Sequence, residues 1–152
     1  MLCGIPTCGK TTYLIKYLQE TDRYDDYVVL STDAFIDNRA LENNITYDEA
    51  FGEYIHQASK RMMFDLKVAT QNNKNIVWDQ TNLTAQSRKA KLVNIPAHYR
   101  KIAVWFDLPL EEAMIRNQQR PGKVIPGNVL KRMFYTFMPP TEAEGFDAVF
   151  HA

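Results

Sequence analysis

The sequence predicts an α/β fold, a parallel sheet of about five strands with helices on both faces. Three observations carry the prediction. Short apolar, β-rich runs alternate with longer segments whose apolar residues recur every three or four positions, and the links between them are short. Two of the runs stop abruptly in polar groups, Ser31-Thr32-Asp33 and Asp79-Gln80-Thr81-Asn82. Such groups belong at the carboxyl edge of a parallel sheet, where ligands bind. The first run, Met1-Leu2-Cys3, leads straight into Gly4-Ile5-Pro6-Thr7-Cys8-Gly9-Lys10-Thr11, a glycine-bounded turn opening a helical pattern.

Taken in order, the first strand is a stub at Met1 to Cys3, and the first helix spans about Lys10 to Glu20 with apolar Leu14, Ile15 and Leu18. A polar connection, Asp22-Arg23-Tyr24-Asp25-Asp26, leads to a buried strand at Tyr27 to Leu30. Asp37 to Asn44 reads as a loop. Thr46-Tyr47-Asp48-Glu49 is a capping box that opens the longest helix, whose apolar positions from Phe51 to Ala69 hold helical spacing to about Gln71. Ile76 to Trp78 is the third strand. Thr84 caps a helix from Ala85 to Ile95 that Pro96 stops. Ile102 to Phe106 is the fourth strand, Pro109 to Gln119 a helix, Pro126 to about Phe137 another, and Ala148 to Phe150 a last short strand.

The bulk numbers suit one globular domain over residues 1–152: 45% hydrophobic and 24% charged residues with a net charge of zero. No apolar run approaches the roughly 20 residues of a membrane span and no secretory leader is read, so a cytoplasmic protein with no membrane partner is expected, in a host cytoplasm if phage-encoded. Cys3 and Cys8, the only cysteines, are expected as free thiols. Charge is uneven: eight Lys/Arg against twelve Asp/Glu up to Gln86, then ten against six, which allows a modest basic face in the second half.

Residues 4–11 fit G-x-x-x-x-G-K-[ST], a phosphate-binding loop. Gly4 and Gly9 let the backbone curl so that N–H groups converge on a phosphate, with Ile5, Pro6, Thr7 and Cys8 forming the wall and Thr12 following. Lys10 places a point charge at the β- and γ-phosphates, and Thr11 offers a hydroxyl to Mg²⁺. Asp33 is positioned to accept the proton of an attacking hydroxyl or to hold the metal through water; its alternative role is an N-cap for a turn beginning at Ala34. Asp79 has the form of a carboxylate aimed at Mg²⁺ or its waters, and Gln80 and Asn82 either orient substrate or tie down the loop. Arg116 and Arg120 lie four apart before Pro121-Gly122-Lys123, which suits a glycine-hinged lid over transferring phosphates.

With these pieces assembled, the chain resembles the kinase domain of the polynucleotide kinases. The resemblance rests on residues 4–11, Ser31-Thr32-Asp33, Asp79-Gln80-Thr81-Asn82, Arg116-Asn117 with Arg120, Val124-Ile125-Pro126, Met133, and Pro140-Thr141-Glu142-Ala143-Glu144-Gly145-Phe146. It implies a P-loop kinase fold with a small lid, and transfer of the γ-phosphate of ATP, or another NTP, with Mg²⁺ to a 5′-hydroxyl of DNA or RNA. By the same resemblance Lys10 and Thr11 serve phosphate and metal, Asp33 is the general base, Arg120 is the lid arginine on the transferred phosphate, and Arg116 supports the nucleotide. Pro140 to Phe146 takes a structural role, and 3′-end processing is not expected. One departure bears on the acceptor. Where the phage enzyme carries an arginine three residues after its base, this chain has Ile36, and Arg39, three residues further on, is the candidate to bind the acceptor in its place. A hydroxylated base, a nucleoside or another small alcohol is the alternative acceptor, and a nucleotide-binding switch or ATPase acting through partners is the alternative class.

Overall fold

Strand pairing among the described residues is parallel throughout. The structure is a computed structural model that describes residues 1–22 and 24–152; Arg23, in the polar connection, lies outside the described residues. Among the described residues five strands, β1 (Leu2–Cys3), β2 (Tyr27–Leu30), β3 (Asn75–Trp78), β4 (Ile102–Trp105) and β5 (Ala148–His151), are interspersed with six α-helices. These are α1 (Lys10–Thr21), α2 (Thr32–Asn43), α3 (Tyr47–Gln71), α4 (Ala85–Leu92), α5 (Leu110–Gln118) and α6 (Gly127–Thr136). β2 pairs with β3, and β4 lies between β1 and β5. A parallel bridge from Leu2 to Asp79 joins the two groups, so the strand order reads β2-β3-β1-β4-β5. The chain leaves β1 in one direction and later crosses to its other side, which opens a crevice at the carboxyl end of β1.

Alternation along each strand sends side chains to two different layers. On one face Leu2, Val77, Val104 and Phe106 pack with Leu14 and Leu18 of α1, Ala113 of α5 and Leu130 of α6. On the other, Leu30 and Trp78 meet Met62 and Leu66 of α3, while Cys3 and Ala103 meet Leu92 of α4 and Phe146. The result is the α/β arrangement expected of a P-loop kinase, with helices on both faces of a parallel sheet.

One expected loop is a helix. Residues 37–43, read as irregular, continue α2 from Thr32 to Asn43. The polar, asparagine-rich segment has little amphipathic signal of its own; what holds it is tertiary. Ile36 is fully buried and packs with Ala50 and Ala58 of α3, joined by Phe35 and Ala40. Packing of one face outweighs propensity in a helix of this length. Ser31 occupies the N-cap and Asp33 lies inside the first turn, so Asp33 is not the cap of a turn at Ala34. The helix closes on Asn44 in the left-handed conformation, φ 53°. α3 begins as expected: Thr46 and Glu49 cap each other, the Glu49 N–H donating to Thr46 Oγ1 and the Thr46 N–H to Glu49 Oε2 at 2.8 Å. α4 is shorter than expected, ending at Leu92 rather than Ile95.

Candidate functional site

The turn after β1 is shaped by positions that tolerate little else. Gly4 has φ 154°, and a Cβ there would stand 2.6 Å from Cys8 Sγ and 3.1 Å from the Phe106 carbonyl oxygen. Thr7 and Gly9 also take positive φ, 69° and 93°, which curls the loop before α1 begins at Lys10. The loop is braced from both sides. The Gly4 N–H donates to the Thr81 carbonyl beyond β3 at 2.9 Å, and Thr7 Oγ1 donates to the Ala113 carbonyl of α5 at 3.3 Å. Lys10 is buried: its Nζ donates to the carbonyls of Gly4 (2.9 Å) and Ile5 (2.7 Å) and lies 3.4 Å from Cys8 Sγ. The cation is therefore held inside the curl it is expected to serve. Arg116, on α5, pairs with Glu112 and donates to the Thr7 carbonyl at 3.3 Å, which puts a guanidinium on the rim of the loop. Cys3 and Cys8 are both free and buried.

Beside the loop, Thr11 Oγ1 donates to Asp79 Oδ2 at 3.0 Å. Burial pushes the Asp79 carboxyl up, and the Thr11 hydrogen bond and the Lys10 charge oppose it; the charge of Asp33 adds to the upward push. The first turn of α1 and the tips of the neighbouring strands β2 and β3 thus face one another. A hydroxyl and a carboxylate in contact are hard oxygen donors, the donor chemistry Mg²⁺ takes, so Thr11 and Asp79 fit as the residues that would hold it.

Gln80 and Asn82 are both tied into the frame. Gln80 accepts from Trp78 Nε1 and donates to Thr32 Oγ1 at 3.0 Å, linking the two strand tips. Asn82 is only 2% exposed and sits at φ 49°; its Nδ2 donates to the Leu2 and Gln80 carbonyls, and its Oδ1 accepts from Lys91. Of the two roles open to them, tying down the loop is the one their contacts describe. Beneath them lies a group that sequence reasoning passed over. Arg88, fully buried in α4, makes two hydrogen bonds to Glu144, 2.6 and 2.7 Å, and donates to the carbonyls of Asn82 (2.9 Å) and Met138 (2.8 Å). The segment Pro140 to Phe146 thereby acts structurally, reaching back to brace the tip of β3.

Asp33 is linked through Tyr47 to the segment between α5 and α6. Tyr47, the first residue of α3, donates its hydroxyl to Asp33 Oδ1 at 3.0 Å. Burial, then the charges of Asp33 and Asp37, hold the Tyr47 phenol far above its ordinary range, and Arg120 pulls the other way. The phenol is therefore a donor, and Arg120 lies within electrostatic reach of it. Lys123 forms an ion pair with Asp37 of α2, and its Nζ stands 4.5 Å from the centre of the Tyr47 ring. The segment is pinned at its base by Asn117, named in the sequence only as part of the resemblance, which exchanges hydrogen bonds with the backbone of Ile125 at 2.7 and 3.0 Å. Gly122, at φ 68°, turns it.

Two positions lie elsewhere. Arg39 is engaged with Glu42 at 2.8 Å and lies over the rings of Phe35 and Tyr54. Six residues from Asp33 it is about 120° away around the helix. Ile36 faces the α2–α3 core and not the crevice. A cavity of about 500 Å³, lined by Tyr17, Asn75, Tyr99, Ile102 and Phe150 among others, opens at the opposite edge of the sheet and shares no residue with the phosphate loop.

Comparison with known proteins agrees with this geometry. Two curated relatives, heterogeneous nuclear ribonucleoprotein U-like protein 2 of Homo sapiens and of Mus musculus, are each 23% identical to the chain over 156 residues, covering 98% of it and 20% of the relative. The chain therefore spans about a fifth of the length of the curated relatives it matches. The AAA domain family matches residues 1–140. Proteins of this kind are typically kinases or ATPases and generally use ATP and Mg²⁺. Its glycine-bounded loop, its Thr11–Asp79 contact and that match converge: the chain belongs to the AAA domain family, a family of P-loop NTPase and kinase type.

Proposed function

We propose that the chain is an ATP-dependent kinase that transfers the γ-phosphate to a hydroxyl of a nucleic acid, the 5′-OH end of DNA or RNA. One observation supports the reading: Asp33, in the first turn of α2 just after β2, acts electrostatically on Asp79, which accepts the Thr11 hydrogen bond beside the loop that encloses Lys10. A base and a polyphosphate cradle on neighbouring strand ends are what in-line transfer requires. In the proposed step the acceptor oxygen bonds to the γ-phosphorus as the bond from that phosphorus to the β-phosphate oxygen breaks. The hydroxyl proton passes to the Asp33 carboxylate, and ADP leaves with the bonding electron pair. Lys10 binds the β- and γ-phosphates, Arg116 supports the nucleotide at the rim, and Arg120 bears on the transferring group. Thr11 and Asp79 would hold Mg²⁺, which would supply charge neutralisation to the polyphosphate. The ribonucleoprotein in the names of the curated relatives is in keeping with a nucleic-acid acceptor.

The burial of Ile36 favours a second acceptor class. A side chain committed to the core at that position leaves nothing there to grip a phosphate beside the acceptor hydroxyl, and Arg39 is already paired. A hydroxylated base, a nucleoside or another small alcohol needs no such grip.

Incubation of the protein and its Asp33→Ala variant with γ-labelled ATP and 5′-OH oligonucleotides, hydroxymethylated DNA or free nucleosides tests both readings. Label on the oligonucleotide, lost in the variant while ATP still binds, is expected. Label on nucleosides alone replaces the acceptor. ATP turnover that needs no acceptor and survives Asp33→Ala replaces the kinase with a switch or ATPase.

A further inference from the structure

We propose that Tyr47 is a positioning residue for the phosphoryl-transfer centre, holding Asp33 with its hydroxyl and the lid's Lys123 with its ring. The inference rests on the reading of Asp33 as the base. Each half has its own observation. The hydroxyl donates to Asp33 Oδ1 at 3.0 Å, which fixes that oxygen and leaves Oδ2 as the one to meet an acceptor. The Lys123 ammonium lies 4.5 Å from the ring centre, while its charge is paired with Asp37, one helical turn beyond Asp33 on α2. A single side chain at the start of α3 therefore touches the carboxylate and the segment carrying Arg120.

The local structure explains why Tyr47 can hold its place. Its backbone follows the Thr46 cap directly, so the first turn of α3 is anchored by the Thr46–Glu49 pair. Its ring packs beside Phe51 at 6.1 Å between centroids and belongs to the cluster around Ile36, Ala50 and Ala58. A carboxylate free to rotate spends most of its time misaligned, and a fixed one does not. Lys123 joins the same residue from the lid, so the arrangement of the base and the position of the lid are tied through one ring.

The test separates hydroxyl from ring. Tyr47→Phe keeps the ring and removes the donor; Tyr47→Leu removes both; Lys123→Met removes the lid's cation. Steady-state transfer from γ-labelled ATP to a 5′-OH oligonucleotide, or to free nucleosides where they alone take label, is measured for each, alone and paired, with Asp33→Asn as reference and thermal midpoints as a check on folding. Tyr47→Phe is expected to lower kcat by roughly tenfold to a hundredfold, the size of one hydrogen bond to a charged group, with the KM for ATP unchanged. Lys123→Met should keep its full effect in the Tyr47→Phe background and lose most of it in Tyr47→Leu, because only the latter removes the ring. Wild-type kcat in Tyr47→Phe, with Asp33→Asn inactive, overturns the inference and leaves the base reading standing. Should Asp33→Asn retain transfer, the base reading falls and takes the inference with it. Lys123→Met tests the ring half independently of any change to the α2–α3 core: equal effects in the Phe and Leu backgrounds overturn that half.

Discussion

Thr11 of the phosphate loop and Asp79 of the β3 tip are joined by a hydrogen bond of 3.0 Å, although 68 residues separate them. The contact links the first turn of α1 to the tip of the strand next to β1, which sets the loop and the carboxylate side by side. Replacing Asp79 with Ala is expected to raise the Mg²⁺ concentration needed for half-maximal activity and to leave Mg²⁺-free nucleotide affinity nearly unchanged. Magnesium titrations of turnover and of nucleotide binding measure the two separately; an unchanged magnesium requirement would remove Asp79 from the metal's neighbourhood.

Arg120 has no carboxylate partner among the described residues, and its charge acts on the Tyr47 phenol. Arg120→Ala should lower kcat by about 10² to 10³ with little change in ATP affinity, since a cation facing a developing charge acts in the transition state. A loss expressed wholly in KM would assign it to ground-state binding. Lys10→Ala, by contrast, should weaken both nucleotide binding and rate.

The Arg88–Glu144 pair carries a stability prediction. The guanidinium is wholly buried, so Glu144→Ala strands a charge and should cost about 3–5 kcal/mol in urea unfolding. Glu144 is held below its ordinary value of 4.5, first by the hydrogen bonds from Arg88. A carboxylate with a lowered folded-state pKa contributes fully above its unfolded value and loses that contribution as pH falls through the lowered one. Stability should therefore decline on acidification below about pH 4.5. Glu144→Gln should flatten that part of the profile.

Lys91 makes the opposite kind of contribution. Burial brings its amine down to about 8 from an ordinary 10.5, beside Asn82 Oδ1 and over the ring of Trp78 at 5.4 Å. Between those values the unfolded chain binds more protons, so stability rises with pH across that window. Cys3, pushed up to about 11 by burial from 9.0, acts in the other sense, so the informative quantity is the difference between wild type and Lys91→Met. That difference should change steadily from about pH 8 to pH 10.5 and be flat below. A constant difference would mean that Lys91 titrates normally.

How far the sequence could be read depended on the range of the forces involved. The phosphate loop, the strands and the capping box at Thr46 are written in adjacent residues, where glycine geometry, periodicity and capping act locally, and the structure has them where they were expected. Asp33 and Asp79 were legible as polar ends of apolar runs. α2 was not, because its helix depends on Ile36 meeting Ala50 and Ala58, a contact no local pattern encodes. Gln80 and Asn82 had two open roles, and only their partners Thr32, Leu2 and Lys91 separate them. Arg88 reads like any helix cation until Glu144, 56 residues on, is placed beside it. Tyr47 reads as part of a helix start; its hydrogen bond to Asp33 crosses a helix hairpin.

The two backbone oxygens that grip the Lys10 ammonium have a further meaning for selectivity. An incoming anion does not meet a free cation; it must outcompete the carbonyls of Gly4 and Ile5 for it. A monovalent ion such as chloride offers one charge in that exchange and gains little. A chain of linked phosphates, engaging the amine and several loop N–H groups together, would gain more in that exchange, so the resting conformation is expected to favour linked phosphates over a single small anion.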